Sequence, residues 1–169
     1  MDWLLFLVQW LHVIAAITWL GGTLFLNFVI IPTLLTIPPT TAAEFNKRFT
    51  PNAARFIEPA AYAVIVLGLV RGTFYGPVKS LSFAFTTSYG ITFTLAFIVT
   101  IATFVWGKYS VQAGGARLGV MAAAGGVKPD GTTTPEYAAE LNRVRLAGVI
   151  ELLGFAVIFT CMILMRFGM

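Results

Sequence analysis

Four long stretches of apolar residues follow one another along the chain, at residues 3–35, 56–75, 83–106 and 146–167. A helix needs about 20 apolar residues to cross the hydrocarbon core of a bilayer, and each stretch is about that long or longer. The segment Ile37-Pro38-Pro39 ends the first stretch, because proline breaks a helix from within. The pattern predicts an all-α fold, in which four transmembrane helices form one integral membrane bundle over residues 1–169.

The composition agrees with a protein that faces lipid. Hydrophobic residues make up 58% of the 169 residues and charged residues only 11%, against roughly 45–50% and 25% in soluble domains. So few charges cannot cover a water-exposed surface, which excludes a soluble globular enzyme. The sequence pI is about 9.5, but no run of five or six like charges is present, so nucleic acid is not an expected partner.

The basic residues are shared unequally between the two sides of the predicted bundle. Eight lie in the segments after the first and third apolar stretches, and three lie on the opposite side. Because Lys and Arg prefer the cytoplasmic side, both termini are predicted outside a prokaryotic inner or plasma membrane, with a cytoplasmic loop at residues 108–145. Within that loop, Thr134-Pro135-Glu136 has the features of a helix start, so the fourth helix is predicted to begin there and to project into the cytoplasm.

The only histidine of the chain, His12, lies within the first apolar stretch. It shares a helical stripe with Gln9, Trp19 and several small residues, at spacings of three and four. Ionisable residues inside a membrane span are costly to bury and usually have a function, which favours a ligand role for His12. The alternative is a helix-packing face, in which His12 is hydrogen-bonded to a neighbouring helix.

The segment around His12 resembles the first-helix signature of a known family. Residues 11–22 are Leu-His-Val-Ile-Ala-Ala-Ile-Thr-Trp-Leu-Gly-Gly. A histidine followed by Trp-x-Gly-Gly is similar to the pattern of the copper-resistance D type membrane proteins and of the HemJ-type protoporphyrinogen oxidases. Arg55 followed by Leu-Gly-Leu-Val-Arg-Gly at 67–72 is a looser resemblance. Residues 88–93 lack the third-helix lysine of the HemJ type, so protoporphyrinogen oxidation is not expected.

The resemblance implies a helical bundle in which His12 binds haem b or copper. With haem b, Trp19 and Gly22 would shape the pocket and Arg71 would bind a propionate. One histidine cannot supply both axial ligands within a chain, which leaves a methionine, a second copy of the chain, a partner's histidine or an open position.

The fourth stretch and the two residues after it carry sulfur ligands toward the same membrane side as His12, namely Cys161, Met162, Met165 and Met169. Sulfur suits Cu(I), so His12 with Met162 or Met165 is a candidate metal site. The alternative is that the methionines fill gaps in apolar packing.

Two carboxylates, Glu58 and Glu151, enter the second and fourth stretches from the basic side, so we expect them at similar depth. Each is interpreted either as a proton-access group or anchor for a cationic ligand, or as an ion pair that fixes the helix register. The partners expected for the deeper Glu151 are Arg55, Arg145, Thr100 or Thr103.

The leading hypothesis is a haem-b-binding integral membrane redox protein or electron-transfer subunit. An enzyme of this kind would be a haem-dependent membrane oxidoreductase, because one histidine excludes paired-histidine metal motifs and no Ser-His-Asp set is available. The alternatives are a copper transport or resistance protein and a cofactor-free structural subunit. The expected partners are the lipid bilayer and either further copies of the chain or other subunits of a membrane complex.

Overall fold

A computed structural model describes residues 2–128 and 130–168. The four long helices are α1 (Trp3–Leu34), α2 (Pro39–Thr73), α4 (Ser88–Gly126) and α5 (Pro135–Arg166), and the short helix is α3 (Leu81–Thr86). Each long helix contains a stretch long and apolar enough to cross a membrane. Within these ranges there is no strand, and an isolated bridge joins Val127 to Thr133. The prediction of an all-α bundle of four membrane-crossing helices is confirmed.

Side-chain caps fix where four of the helices begin, and the carboxylate of Asp2 caps α1. The hydroxyl of Ser80 accepts a hydrogen bond from the first turn of α3, and the hydroxyl of Thr87 does the same for α4. Thr134 caps α5, with Pro135 at the first helical position. Such caps satisfy N–H groups that have no partner inside the helix. The predicted helix start at Thr134-Pro135 is confirmed.

Two helices extend well beyond the apolar stretches that predict them. α2 begins at Pro39 rather than near residue 56. α4 continues to Gly126, so most of the predicted loop 108–145 is helical, and its described residues outside helices are 127, 128 and 130–134. Hydropathy does not indicate these extensions, because they carry polar and small residues and the method detects only the part of a helix that faces lipid.

The four long helices pack as an antiparallel bundle in the order of the sequence. α1 lies against α2 and α4 against α5, and aromatic contacts between α2 and α4 and between α1 and α5 close the bundle. Glycines mark the closest approaches, because their lack of a Cβ lets two backbones come together. Examples are Gly22 with Ile57, Gly72 with Phe93, Gly148 with Asn27 and Gly154 with Thr103.

The two ends of the bundle differ in helix geometry. We call the end where α1 begins and α5 finishes the terminal end, and the end with connections 35–38 and 127–134 the basic end. Three π-helical turns lie toward the basic end, at Leu26–Ile30 in α1 and at Gly107–Gln112 and Ala122–Gly126 in α4. Turns of this kind widen a helix locally and are frequent at functional sites.

Candidate functional site

His12 is buried where α1 meets α2, in the terminal half of the bundle. It is 7% exposed, and its ring lies against Gly68, where an added Cβ would be 3.0 Å from Cε1. Among the described residues, its Nδ1 is the one side-chain nitrogen or oxygen that is fully shielded from solvent and has no hydrogen-bond partner. An unpartnered buried polar group costs about 1–3 kcal/mol. A purely structural role for His12 therefore leaves Nδ1 unexplained, whereas a ligand would satisfy it.

Arg71 is the predicted site residue that lies beside His12. It follows Gly68 by about one helical turn on α2, and its Nε donates a hydrogen bond of 3.0 Å to Oε1 of Gln9. Gln9 in turn precedes His12 by about one turn on α1. The structure thus brings a guanidinium to the terminal side of the imidazole, where an anionic group could be bound.

Trp19 and Gly22 lie further toward the basic end. Trp19 is 4% exposed and packs edge-on against Phe155, with ring centroids 4.8 Å apart. It follows His12 by about two turns, or roughly 10 Å along α1. Gly22 lies against the side chain of Ile57. Both residues pack the helices together closer to the basic end than His12, and they do not surround its ring.

Met162 lies at about the height of His12. Trp19 of α1 and Phe155 of α5 are in contact, and the two helices are antiparallel. His12 lies seven residues from Trp19 and Met162 seven residues from Phe155, both toward the terminal end. Each is therefore displaced along its helix by the same distance. Met162 packs against the buried core, and Met165 lies about one turn further out, while Met169 falls outside the described residues. The described part of the chain holds no cluster of three His, Cys, Asp or Glu side chains that could bind a metal.

The donor at His12 suits both haem iron and copper, because each binds a neutral imidazole nitrogen. The two cofactors differ in how much space they need around the imidazole. The imidazole already contacts Gly68, so a porphyrin would require α1 and α2 to separate there. Such a separation would break the hydrogen bond between Arg71 and Gln9, which joins these two helices.

Glu58 and Glu151 both lie against the turn Gly107–Gln112 of α4. Gln112 Nε2 donates to Glu58 Oε1 at 2.9 Å, and Lys108 Nζ lies 3.5 Å from Oε2. Glu151 is 7% exposed, and its carboxylate lies beside Gly107. No hydrogen bond or ion pair among the described residues joins it to its predicted partners Arg55, Arg145, Thr100 and Thr103.

A cavity of about 830 Å³ opens between the four long helices, on the basic side of Trp19. Its walls are mostly apolar, and the three π-helical turns all contribute residues to them. The sequence does not predict this cavity, because its wall combines residues of apolar stretches with residues of a predicted loop. Asn27, a polar residue in an apolar stretch, is the signal that could have indicated it. The polar wall includes Asn27, Glu58, Lys108, Gln112, Arg145 and Glu151.

No protein-family model, curated protein or solved structure matches the chain. The fold and the site define a class by themselves: an integral membrane bundle of four helices, with a buried histidine at one level and an internal cavity with two carboxylates at another.

Proposed function

We propose that the protein is a haem-b-binding membrane redox protein, or the electron-transfer subunit of a larger membrane complex, with His12 as an axial ligand. The observation that carries the proposal is the buried Nδ1 of His12, which has no partner among the described residues. Haem b at this position would supply one-electron transfer, and the protein would supply the ligand, the apolar surroundings and the anchoring charge.

The position of Arg71 supports haem as the cofactor. Arg71 follows Gly68, which contacts His12, by about one helical turn. A hydrogen bond to Gln9 orients its guanidinium. A propionate is a carboxylate, and guanidinium groups bind carboxylates through charge-assisted hydrogen bonds. Because the chain has one histidine, a second copy of the chain or a partner subunit is the natural source of a second nitrogen ligand.

Copper binding at His12 is the second candidate function. It is favoured by the equal height of His12 and Met162, since a thioether suits Cu(I). It is also favoured by the close packing of Gly68 against the imidazole, because an ion needs less room there than a porphyrin.

We also propose that both termini face the outside of a prokaryotic plasma membrane. The support is the distribution of Lys and Arg, with eight on the side of the basic end and three on the other. Basic residues close to membrane spans are retained on the cytoplasmic side.

The test is a haemin titration of the purified protein in non-ionic detergent, followed by Soret absorbance. Wild-type protein should saturate at about one haem per chain, or about one per two chains when two copies share it. His12→Ala should lose the saturable Soret component. Arg71→Gln should weaken binding and leave the band position unchanged, since it removes the propionate partner and not the ligand.

Gly21→Ala is the matched control, because an added Cβ at Gly21 meets nothing within 4 Å. A wild-type protein that does not saturate, or an unchanged titration of His12→Ala, would contradict the haem proposal. A parallel Cu(I) titration against a chromogenic chelator separates the two candidates: copper binding predicts loss of affinity in both His12→Ala and Met162→Leu.

A further inference from the structure

The carboxylate of Glu151 stands out among the charged groups of the bundle. It is 93% buried, at 7% exposure, and it forms part of the wall of the cavity. No hydrogen bond or ion pair joins it to another described residue. Buried charges are normally paired or hydrogen-bonded, so the structure leaves this carboxylate open to a group that enters the cavity.

The other described polar groups in the cavity wall form no ion pair or hydrogen bond with Glu151. Lys108 forms an ion pair with Glu58, and Gln112 donates a hydrogen bond to Glu58. Arg145 also lines the cavity, but it precedes Glu151 by six residues, which places it about 9 Å away along α5, and no ion pair joins the two side chains. The deep part of the cavity therefore holds one carboxyl group that forms no ion pair with another described residue.

The walls near Glu151 are apolar and aromatic. Trp19 and Phe104 both line the cavity, with ring centroids 6.2 Å apart. Phe104 precedes Gly107, the residue against which Glu151 lies, by about one turn of α4. Aromatic rings attract cations through their quadrupole, most strongly where water is excluded. The Glu151 carboxylate and the two aromatic rings thus all favour a cationic group.

The size and position of the cavity suggest the rest of the ligand. Its volume of about 830 Å³ is in the range of about 300–1,000 Å³ typical of sites for small organic molecules. It lies between helices that are apolar enough to face lipid, so a ligand with an apolar body could reach it from the membrane.

We propose that this cavity is a binding site for a lipophilic cation, a molecule with an apolar body and one positive charge that pairs with Glu151. The site is separate from His12, because Trp19 and its contact with Phe155 lie between the two levels. The inference goes beyond the proposed redox function and does not depend on it.

The test is equilibrium dialysis of tetraphenylphosphonium against the full-length protein in non-ionic detergent, corrected for empty micelles. We expect saturable binding of about one cation per chain. Glu151→Gln should weaken it at least about tenfold, which corresponds to about 1.4 kcal/mol. Glu140→Gln is the matched control on the same helix: Glu140 pairs with Arg117 outside the cavity, so its affinity should stay within about twofold of wild type.

Triphenylphosphine oxide, a neutral molecule with a similar apolar body, should bind at least tenfold more weakly than the cation. Absence of saturable binding, equal affinity in Glu151→Gln, or equal binding of the neutral molecule would overturn the proposal. If Glu151→Gln does not give a monodisperse protein, Gly107→Ala replaces it, because the added methyl would displace the carboxylate. Its affinity should fall at least threefold, and an unchanged affinity would overturn the proposal equally.

Discussion

At the scale of single residues, the bundle depends on glycines that let helices touch and on two buried polar groups that the protein leaves without partners. The sequence marks His12 and Glu151 as costly to bury, and both are indeed buried. It does not indicate what they face, because this depends on the register between helices, which the spacing of apolar residues does not fix. The contacts with Gly68 and Gly107 come from that register.

Replacing Gly72 by alanine should destabilise the protein. The added methyl would collide with the ring of Phe93, and overpacking of this kind costs about 1–3 kcal/mol. The Tm in detergent, followed by circular dichroism, should therefore fall relative to wild type. Gly21→Ala, which meets nothing within 4 Å, should leave the Tm nearly unchanged, and equal losses in the two variants would show that helix packing at Gly72 is not the cause.

The carboxyl group of Asp130 gives a prediction for pH. It accepts hydrogen bonds from the hydroxyl of Thr132 at 2.7 Å and from the N–H of Thr132 at 2.9 Å, and these bonds lower the pKa of Asp130 below its ordinary value. The bonded carboxylate therefore favours the folded turn above the pKa it has in the unfolded chain, and this contribution is lost as the pH falls through the folded-state pKa.

Thr132→Val removes the hydroxyl donor and should raise the pKa of Asp130 toward its ordinary value. An NMR titration of the Asp130 carboxyl carbon in both proteins measures the change. The same titration midpoint for Asp130 in both proteins would mean that the Thr132 hydroxyl does not stabilise the Asp130 carboxylate.

At the scale of elements, the extension of α4 is the part that the sequence does not predict. Residues 113–126 contain many Ala and Gly and no strong apolar period. Their helix is held by α5, where Gly114 lies against Val144 and Arg117 pairs with Glu140 at 2.7 Å. Tertiary packing rather than intrinsic preference stabilises most helices, which explains why a loop was predicted for this segment.

Gly114→Leu should release this extension from α5, because a side chain at residue 114 would collide with Val144. We expect faster amide hydrogen exchange in residues 107–126 and unchanged exchange in residues 88–106, which pack independently of that contact. Arg117→Gln should have a much smaller effect, since partly exposed ion pairs contribute about 0–1 kcal/mol. Uniform acceleration along all of α4 would contradict a separate role for the extension.

At the scale of the whole molecule, the number of long apolar helices follows from hydropathy and length, and the structure confirms four of them. The cavity does not follow from them. It requires the register of all four long helices, the π-helical turns and the extension of α4, and none of these changes the average hydropathy of a span. Membrane topology follows from charge and remains a prediction.

Single cysteines test the topology in a Cys161→Ser background, which removes the one native thiol. A membrane-impermeant maleimide added to intact cells should label Ser82→Cys, in α3 at the terminal end. It should label Lys47→Cys, in the basic part of α2, only after the cells are opened. The reverse pattern would place the basic end outside and contradict the orientation drawn from the loop charges.

The central claim is that His12 holds a redox cofactor within the membrane bundle. The most direct measurement is the reduced-minus-oxidised absorption spectrum of the protein purified from haem-replete cells, with a pyridine haemochrome assay of wild type and His12→Ala. We predict a b-type signal in the wild type at about one haem per one or two chains, and its loss in His12→Ala. A colourless wild-type protein, or a variant with the same haem content, would contradict the account.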